Sequence, residues 1–211
     1  RLRDGRSFVS RQVRAIQYGK VIFTMLVSFA PIEEGLNFQV EMPVVPEAES
    51  LKTEQELKEM IAPFLPEKMR STIMRERQVE IRPINPTNPF APEPESPQRA
   101  HWMRVPNRLP DDPSLHQAII AFASDFSLMG TGLMPHGVSF MTTSLQAASI
   151  DHSMYFHRPA RADEWLLYDM NATVTASARG MNFGRMWQDG QLVISTNQEG
   201  LMRLREPSRS S

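Results

Sequence analysis

Hydrophobic and polar positions alternate along much of this chain, and the alternation predicts strands. From Ser7 to Gln17 apolar and β-branched residues interleave with polar ones. Tyr18-Gly19-Lys20 supplies a turn, and Val21 to Phe29 is strongly apolar. These residues predict a β-hairpin closed by Pro31 and Glu33-Glu34-Gly35. Phe38 to Pro46 is short and irregular. Thr53 with Glu56 three residues on predicts a capped helix, with Leu57, Met60 and Ile61 as its apolar face and Pro63 as its stop. Arg77 to Arg82 reads as a strand. Six prolines between Pro83 and Pro97 then demand an extended connector, and Arg99 to Val105 returns to strand. Asp112-Pro113 opens the main predicted helix, whose stripe is Leu115, Ala118, Ile119, Phe122, Phe126 and Met129 and whose end is Gly130. Gly130 to Ser139, with Pro135-His136-Gly137, reads as a loop. Glu164 to Thr175, Arg179 to Trp187 and Leu192 to Met202 read as strands. The last two are joined at Gln188-Asp189-Gly190. Leu192, Ile194, Thr196 and Gln198 share a face, which aligns Gln198 with residues expected to be buried. Glu199-Gly200 is read as breaking that pattern, and the tail after Arg205 as disordered.

One stretch alternates differently. Read as a single strand from Ser149 to Pro159, it puts Ser149, Asp151, Ser153, Tyr155 and His157 on one face and Ile150, His152, Met154 and Phe156 on the other. The polar face carries a hydroxyl, a carboxylate, a phenol and an imidazole and no lysine. It is either the wall of a site or a core-edge strand whose polar groups satisfy one another. Asp125, beside the apolar stripe of the main helix, is either a rim carboxylate in water or a buried one with donors waiting for it.

The two hairpins resemble each other. Arg14-Ala15-Ile16-Gln17-Tyr18-Gly19 can be laid on Arg185-Met186-Trp187-Gln188-Asp189-Gly190, which puts Val27 where the second copy has Gln198. A duplicated domain in which only the second copy keeps a site is the expectation.

Composition narrows the classes. A chain of 211 residues allows one large domain or two small ones, and a net charge of −1 argues against nonspecific nucleic-acid binding. No apolar run is long enough to span a bilayer. There is no cysteine, which excludes disulfides, thiolate metal sites and a cysteine nucleophile. Ser149 lies in no Gly-x-Ser-x-Gly elbow, which disfavours a serine hydrolase. His136, His152 and His157 accompany Asp125 and Asp151 without a metal-ligand spacing, so no metal and no cofactor are expected.

Several segments together carry a family likeness. They are Arg3-Asp4-Gly5-Arg6-Ser7-Phe8, Ala123-Ser124-Asp125, Pro135-His136-Gly137, the whole of Ser149 to Pro159, Glu164-Trp165-Leu166-Leu167-Tyr168, Ser177-Ala178-Arg179-Gly180 and Gln198-Glu199-Gly200. In this order the chain resembles the acyl-CoA thioesterase II family, the TesB-like double-hotdog thioesterases. The resemblance implies an α+β double hotdog, each half an antiparallel sheet wrapped around a long helix, with the first hotdog truncated at its N-terminus. The implied divisions are 1–45 for the end of the first hotdog, 46–98 for a helix and Pro-rich connector, 99–205 for the second hotdog and 206–211 for a flexible tail. It implies hydrolysis of medium- to long-chain acyl-CoA by a positioned water, with Asp125, Ser149 and Gln198 as the catalytic set. Asp151 and His152 become supporting or structural groups. Phe122, Phe126, Met129, Met154 and Phe156 are candidates to line an acyl tunnel. The implied partners are acyl-CoA and further copies of the chain. The implied compartment is the cytoplasm, with the peroxisome open for a eukaryotic source although no C-terminal Ser-Lys-Leu is present. The competing readings are a hotdog enoyl-CoA hydratase and an acyl-CoA-binding remnant without turnover.

Overall fold

The computed structural model describes residues 2–65, 67–141 and 144–205, which form two compact units, one up to Phe38 and one from Gln39 onward. The predicted tail after Arg205 lies outside the described residues. The first unit is a three-stranded antiparallel sheet of β1 (Arg3–Asp4), β2 (Val9–Gln17) and β3 (Lys20–Phe29), in that order. Tyr18 and Gly19 close its hairpin with φ of 49° and 74°, the double left-handed turn whose twist suits two antiparallel strands. Residues of mixed polarity alternate on β2, and apolar Val13, Phe23 and Met25 stay exposed.

The second unit begins with α1 (Glu54–Ile61). Its capping box forms as the sequence indicates: Glu56 N–H donates to Thr53 Oγ1 at 3.1 Å and Thr53 N–H donates to Glu56 Oε2 at 2.7 Å. A further short helix, α2 (Glu67–Ile73), follows and was not anticipated. The main sheet is β4 (Glu80–Pro83), β5 (Gln98–Arg104), β6 (Leu145–Ser149), β7 (Ser153–Phe156), β8 (Leu166–Ala176), β9 (Arg179–Gln188) and β10 (Gln191–Leu204). It runs β4-β5-β8-β9-β10-β6 in space, with β7 also on β10, and every pairing is antiparallel. Helix α3 (Pro113–Ala123) packs on it. Ile120 and Ala123 join Met103, Leu166, Tyr168, Met170, Met186 and Ile194 in one buried cluster. Burying such side chains is the main favourable term in the fold, about 1.5–3 kcal/mol for each large one.

Five sequence expectations are corrected. The main helix ends at Ala123 rather than Gly130. Ser127 has a φ of 67°, which no helix accommodates, and a 3-10 helix over Met129–His136 replaces the expected loop. The hydroxyl of Tyr168 donates to the Ser124 carbonyl at 2.8 Å, taking the acceptor that another helical turn would use. The buried stripe of α3 is His116, Ile120 and Ala123, while Phe122 is 67% exposed. His116 holds that face because its Nδ1 accepts the Ala162 N–H at 3.0 Å. The stretch from Ser149 to Pro159 is two strands with a break at Ile150–His152. Finally, Glu199-Gly200 does not break the pattern of the last strand, since Gly200 is buried like Gln198. Gly200 is paired with Gly180 on one side and Ser149 on the other, and β10 continues to Leu204.

The hairpin repeat holds at the level of hydrogen-bond register. Gln17↔Lys20, Ala15↔Phe23, Val13↔Met25 and Arg11↔Val27 in the first unit match Gln188↔Gln191, Met186↔Ile194, Gly184↔Thr196 and Asn182↔Gln198 in the second. A bulge falls at the same step in each, passing over Ile22 and Val193, and Asp189-Gly190 repeats the turn of Tyr18-Gly19 with φ of 49° and 73°. Val27 therefore occupies the register position of Gln198.

Candidate active site

Three elements deliver three polar side chains to one point. Gln198 comes from the buried face of β10, Ser149 from the end of β6, and Asp125 from the turn after α3. Gln198 is fully buried, and its amide nitrogen uses both hydrogens here. One goes to Asp125 Oδ1 at 2.5 Å and one to Ser149 Oγ at 3.1 Å. Ser149 Oγ is in turn 3.4 Å from Asp125 Oδ1 as a donor. Oδ1 of Asp125 is thus saturated by two donors, whereas no bond from a described residue is recorded at Oδ2, on an exposed residue. Asp125 and Ser149 are exposed, so the triangle has a buried neutral anchor and an open face. Chemically, this is a fixed carboxylate with one oxygen available to take a proton from water and a hydroxyl beside it.

The break between β6 and β7 shapes this opening. Ile150 and Asp151 both direct their N–H groups at the Glu199 carbonyl, at 2.9 and 3.4 Å. The Glu199 N–H, left without a backbone acceptor by the break, donates to Asp151 Oδ1 at 2.9 Å. Asp151 thus replaces a ladder carbonyl and holds the bulge. His152 turns inward: its Nε2 lies 2.8 Å from the Ser124 hydroxyl, and its Nδ1 is buried without a partner among the described residues. Burial pushes its pKa below the ordinary value, while the charges of Asp125 and Asp151 oppose that shift.

Residues 69–201 match the family model described as acyl-CoA thioesterase. The chain belongs to the acyl-CoA thioesterase family. Acyl-coenzyme A thioesterase 8 of Mus musculus is 35% identical over 97% of this chain, and the chain spans 66% of that protein's length. The crystal structure of an acyl-CoA thioesterase II, TesB2, from Mycobacterium marinum superposes with a TM-score of 0.77 at 35% identity. It covers 98% of this chain and 72% of its own. A protein with a hot dog fold from Alicyclobacillus acidocaldarius superposes with a TM-score of 0.70 at 21% identity, covering 97% of this chain and 71% of its own. The mixed α+β architecture, an antiparallel sheet with α3 on one face, is a hotdog.

Within this thioesterase-family chain, the residues expected to line a tunnel separate into two groups. Phe122 and Phe126 line a cavity of about 1130 Å³ in the second unit. Its wall also includes Leu57, Ile81, Leu133, Met134 and Phe140. The two phenyl rings meet edge to face at 5.2 Å, and the Arg77 guanidinium lies over Phe126 at 4.5 Å. Met129, Met154 and Phe156 do not line it. Met129 crowds Gly200, Met154 packs on the core beside Ser124, and Phe156 is 41% exposed on β7. Arg99 and His101 reach the same cavity. Burial lowers the pKa of both, that of His101 to about 3, with Arg99 and Arg77 adding to the effect on the imidazole. Among the described residues, no group of three His, Asp or Glu side chains is arranged to hold a metal. No helix of the described residues is long and apolar enough to cross a membrane.

Sequence reasoning missed the polar set behind the triangle. Tyr168 OH bridges the Ser124 carbonyl and Thr196 Oγ1, both at 2.8 Å. Asn182, wholly buried, is the cross-strand partner of Gln198. The signal available was the buried face of β10, which put Thr196 in line with Gln198; nothing local marked Ser124.

Proposed function

We propose that this chain hydrolyses acyl-CoA thioesters, of medium to long acyl chain, to the free acid and CoA. The observation that carries the reading is the convergence of Asp125, Ser149 and Gln198 with one carboxylate oxygen left open. Asp125 Oδ2 takes a proton from water as that water's oxygen bonds to the thioester carbonyl carbon. The tetrahedral intermediate then collapses, the C–S bond breaks, and the departing sulfur receives the proton from Asp125. A thioester is already activated, so no covalent enzyme intermediate is needed. Gln198, neutral and buried, fixes the carboxylate, and Ser149 offers a second oxygen to the water. The acyl chain takes the cavity beside Phe122 and Phe126, whose volume slightly exceeds the roughly 300–1,000 Å³ typical of ligand pockets and leaves room for a long chain. Asp125 immediately precedes Phe126, so one turn carries both base and wall.

A hydratase would need an imidazole free to address the substrate. The inward Nε2 and buried Nδ1 of His152 disfavour that reading. The register repeat between β2–β3 and β9–β10 supports a double-hotdog ancestry, and self-association is proposed with it. The deciding experiment is free-thiol release from a panel of acyl-CoAs by this chain and by Asp125→Ala. Turnover by the parent and a loss of at least about 10³-fold in the variant are expected. A folded Asp125→Ala variant that still hydrolyses acyl-CoA would remove Asp125 from the mechanism. Binding without turnover by the parent would favour the acyl-CoA-binding reading.

A further inference from the structure

The Ser124 hydroxyl has one hydrogen and three neighbours: the Ala121 carbonyl at 2.8 Å, His152 Nε2 at 2.8 Å and the Met154 sulfur at 3.3 Å. The carbonyl can only accept, and it is a better acceptor than a thioether. When the hydrogen goes to Ala121, Nε2 must carry its own hydrogen and donate it to Ser124. In the neutral imidazole this leaves Nδ1 as a bare lone pair, and Nδ1 is the atom that is buried with no partner among the described residues. An imidazolium would place a charged N–H where no acceptor waits, a costly arrangement. The environment thus selects one tautomer and one charge state. What it holds is the turn that presents Asp125. Ser124 precedes Asp125, is completely buried, has its side chain fixed by His152 and its carbonyl fixed by Tyr168.

We propose that His152 is a positioning residue that serves only as a neutral imidazole, donating Nε2–H to Ser124 to fix the turn that carries Asp125 while placing no positive charge beside that carboxylate. The charged groups acting on it are Asp125, from the turn after α3, and Asp151, its neighbour in the break; β7 contributes the Met154 sulfur. A positive charge beside Asp125 would weaken it as a base, so protonating His152 lowers turnover in addition to the loss that follows from protonating the carboxylate itself. Acidification therefore acts twice.

This inference rests on the hydrolytic reading of Asp125, and the experiment keeps the two apart. The pH dependence of kcat/KM is measured for the parent chain, Asp125→Ala, His152→Ala and His152→Gln, with Ser124→Ala alone and combined with His152→Ala. Glutamine can donate to Ser124 from its amide but cannot titrate. The parent is expected to lose log(kcat/KM) on the acid side with a maximal slope clearly above one, and His152→Gln with a slope of about one. At the optimum His152→Gln keeps kcat within about threefold, whereas His152→Ala lowers kcat about 10–100-fold with KM nearly constant. Adding Ser124→Ala to His152→Ala costs less than it does in the parent. A parent slope of one, an unchanged slope in His152→Gln, or parental kcat in His152→Ala overturns the proposal. If His152→Ala fails to fold, the slope in His152→Gln still decides. Turnover retained in Asp125→Ala would instead defeat the hydrolytic reading itself.

Discussion

Gln198 brings two hydrogens and no charge to a carboxylate 2.5 Å away, so replacing its amide tests the electrostatics of the site directly. Gln198→Glu sets a second carboxylate against Asp125. The pair must then share a proton, and the acid limb of the pH–rate profile is expected to move up by about one unit or more. Gln198→Ala only removes donors and should lower kcat about 10–100-fold, less than Asp125→Ala. A profile unmoved in Gln198→Glu would mean that the two side chains do not meet in solution. The burial of Gln198 was readable in the sequence, because a strand repeats every second residue and Thr196 and Ile194 mark its face. The position of Asp125 was not. Periodicity leaves a residue beside a stripe undecided between rim and interior, and the structure exposes it while bonding one oxygen inward. Asp125, Ser149 and Gln198 come from three separate elements, so only the family likeness linked them. Ser124 carries no local signal, since a serine at a helix end is commonplace.

At the level of elements, the two hairpins and their turns follow from alternation and turn chemistry, whereas the order of strands in the sheet and the end of α3 do not. Phe126 and Met129 continue the helical spacing, and what stops the helix is Tyr168 reaching across from β8. Its phenol can lie there because β9 offers no side chain at Gly184. A Cβ at that position would overlap the Tyr168 ring and the Thr196 hydroxyl. Gly184→Ala is therefore expected to destabilise the fold by about 1–3 kcal/mol, read as a lower Tm, and to reduce kcat as the turn carrying Asp125 loses its anchor. An unchanged melting curve would contradict this packing. The break at Ile150–His152 was equally hidden, because Asp151 looks like a site carboxylate and in fact completes the ladder for Glu199.

Across the whole molecule, one ion-pair cluster ties the segment after β7 to the start of α3. Asp163 has a side chain 1% exposed and accepts from Arg161 Nε at 2.9 Å, Arg161 Nη2 at 3.0 Å and the Leu109 N–H at 2.8 Å. The bond from Arg161, ahead of the backbone donors, holds its pKa well below the ordinary 3.8. A depressed carboxylate adds stability that is complete above its unfolded value and is lost as pH falls toward the folded one. Asp163→Asn should thus lower Tm by about 3–10 °C near neutrality, with the gap to the parent narrowing below about pH 4. A gap independent of pH would assign the effect to shape rather than charge. The two hairpins carry a different lesson. Turn, bulge and register recur together, yet Arg11 and Val27 stand where Asn182 and Gln198 stand. Any relative with this backbone can therefore be sorted at two positions. On the role proposed for Gln198, a glutamine with a cross-strand asparagine is the mark of a working hairpin, and a valine with an arginine the mark of one kept for scaffolding.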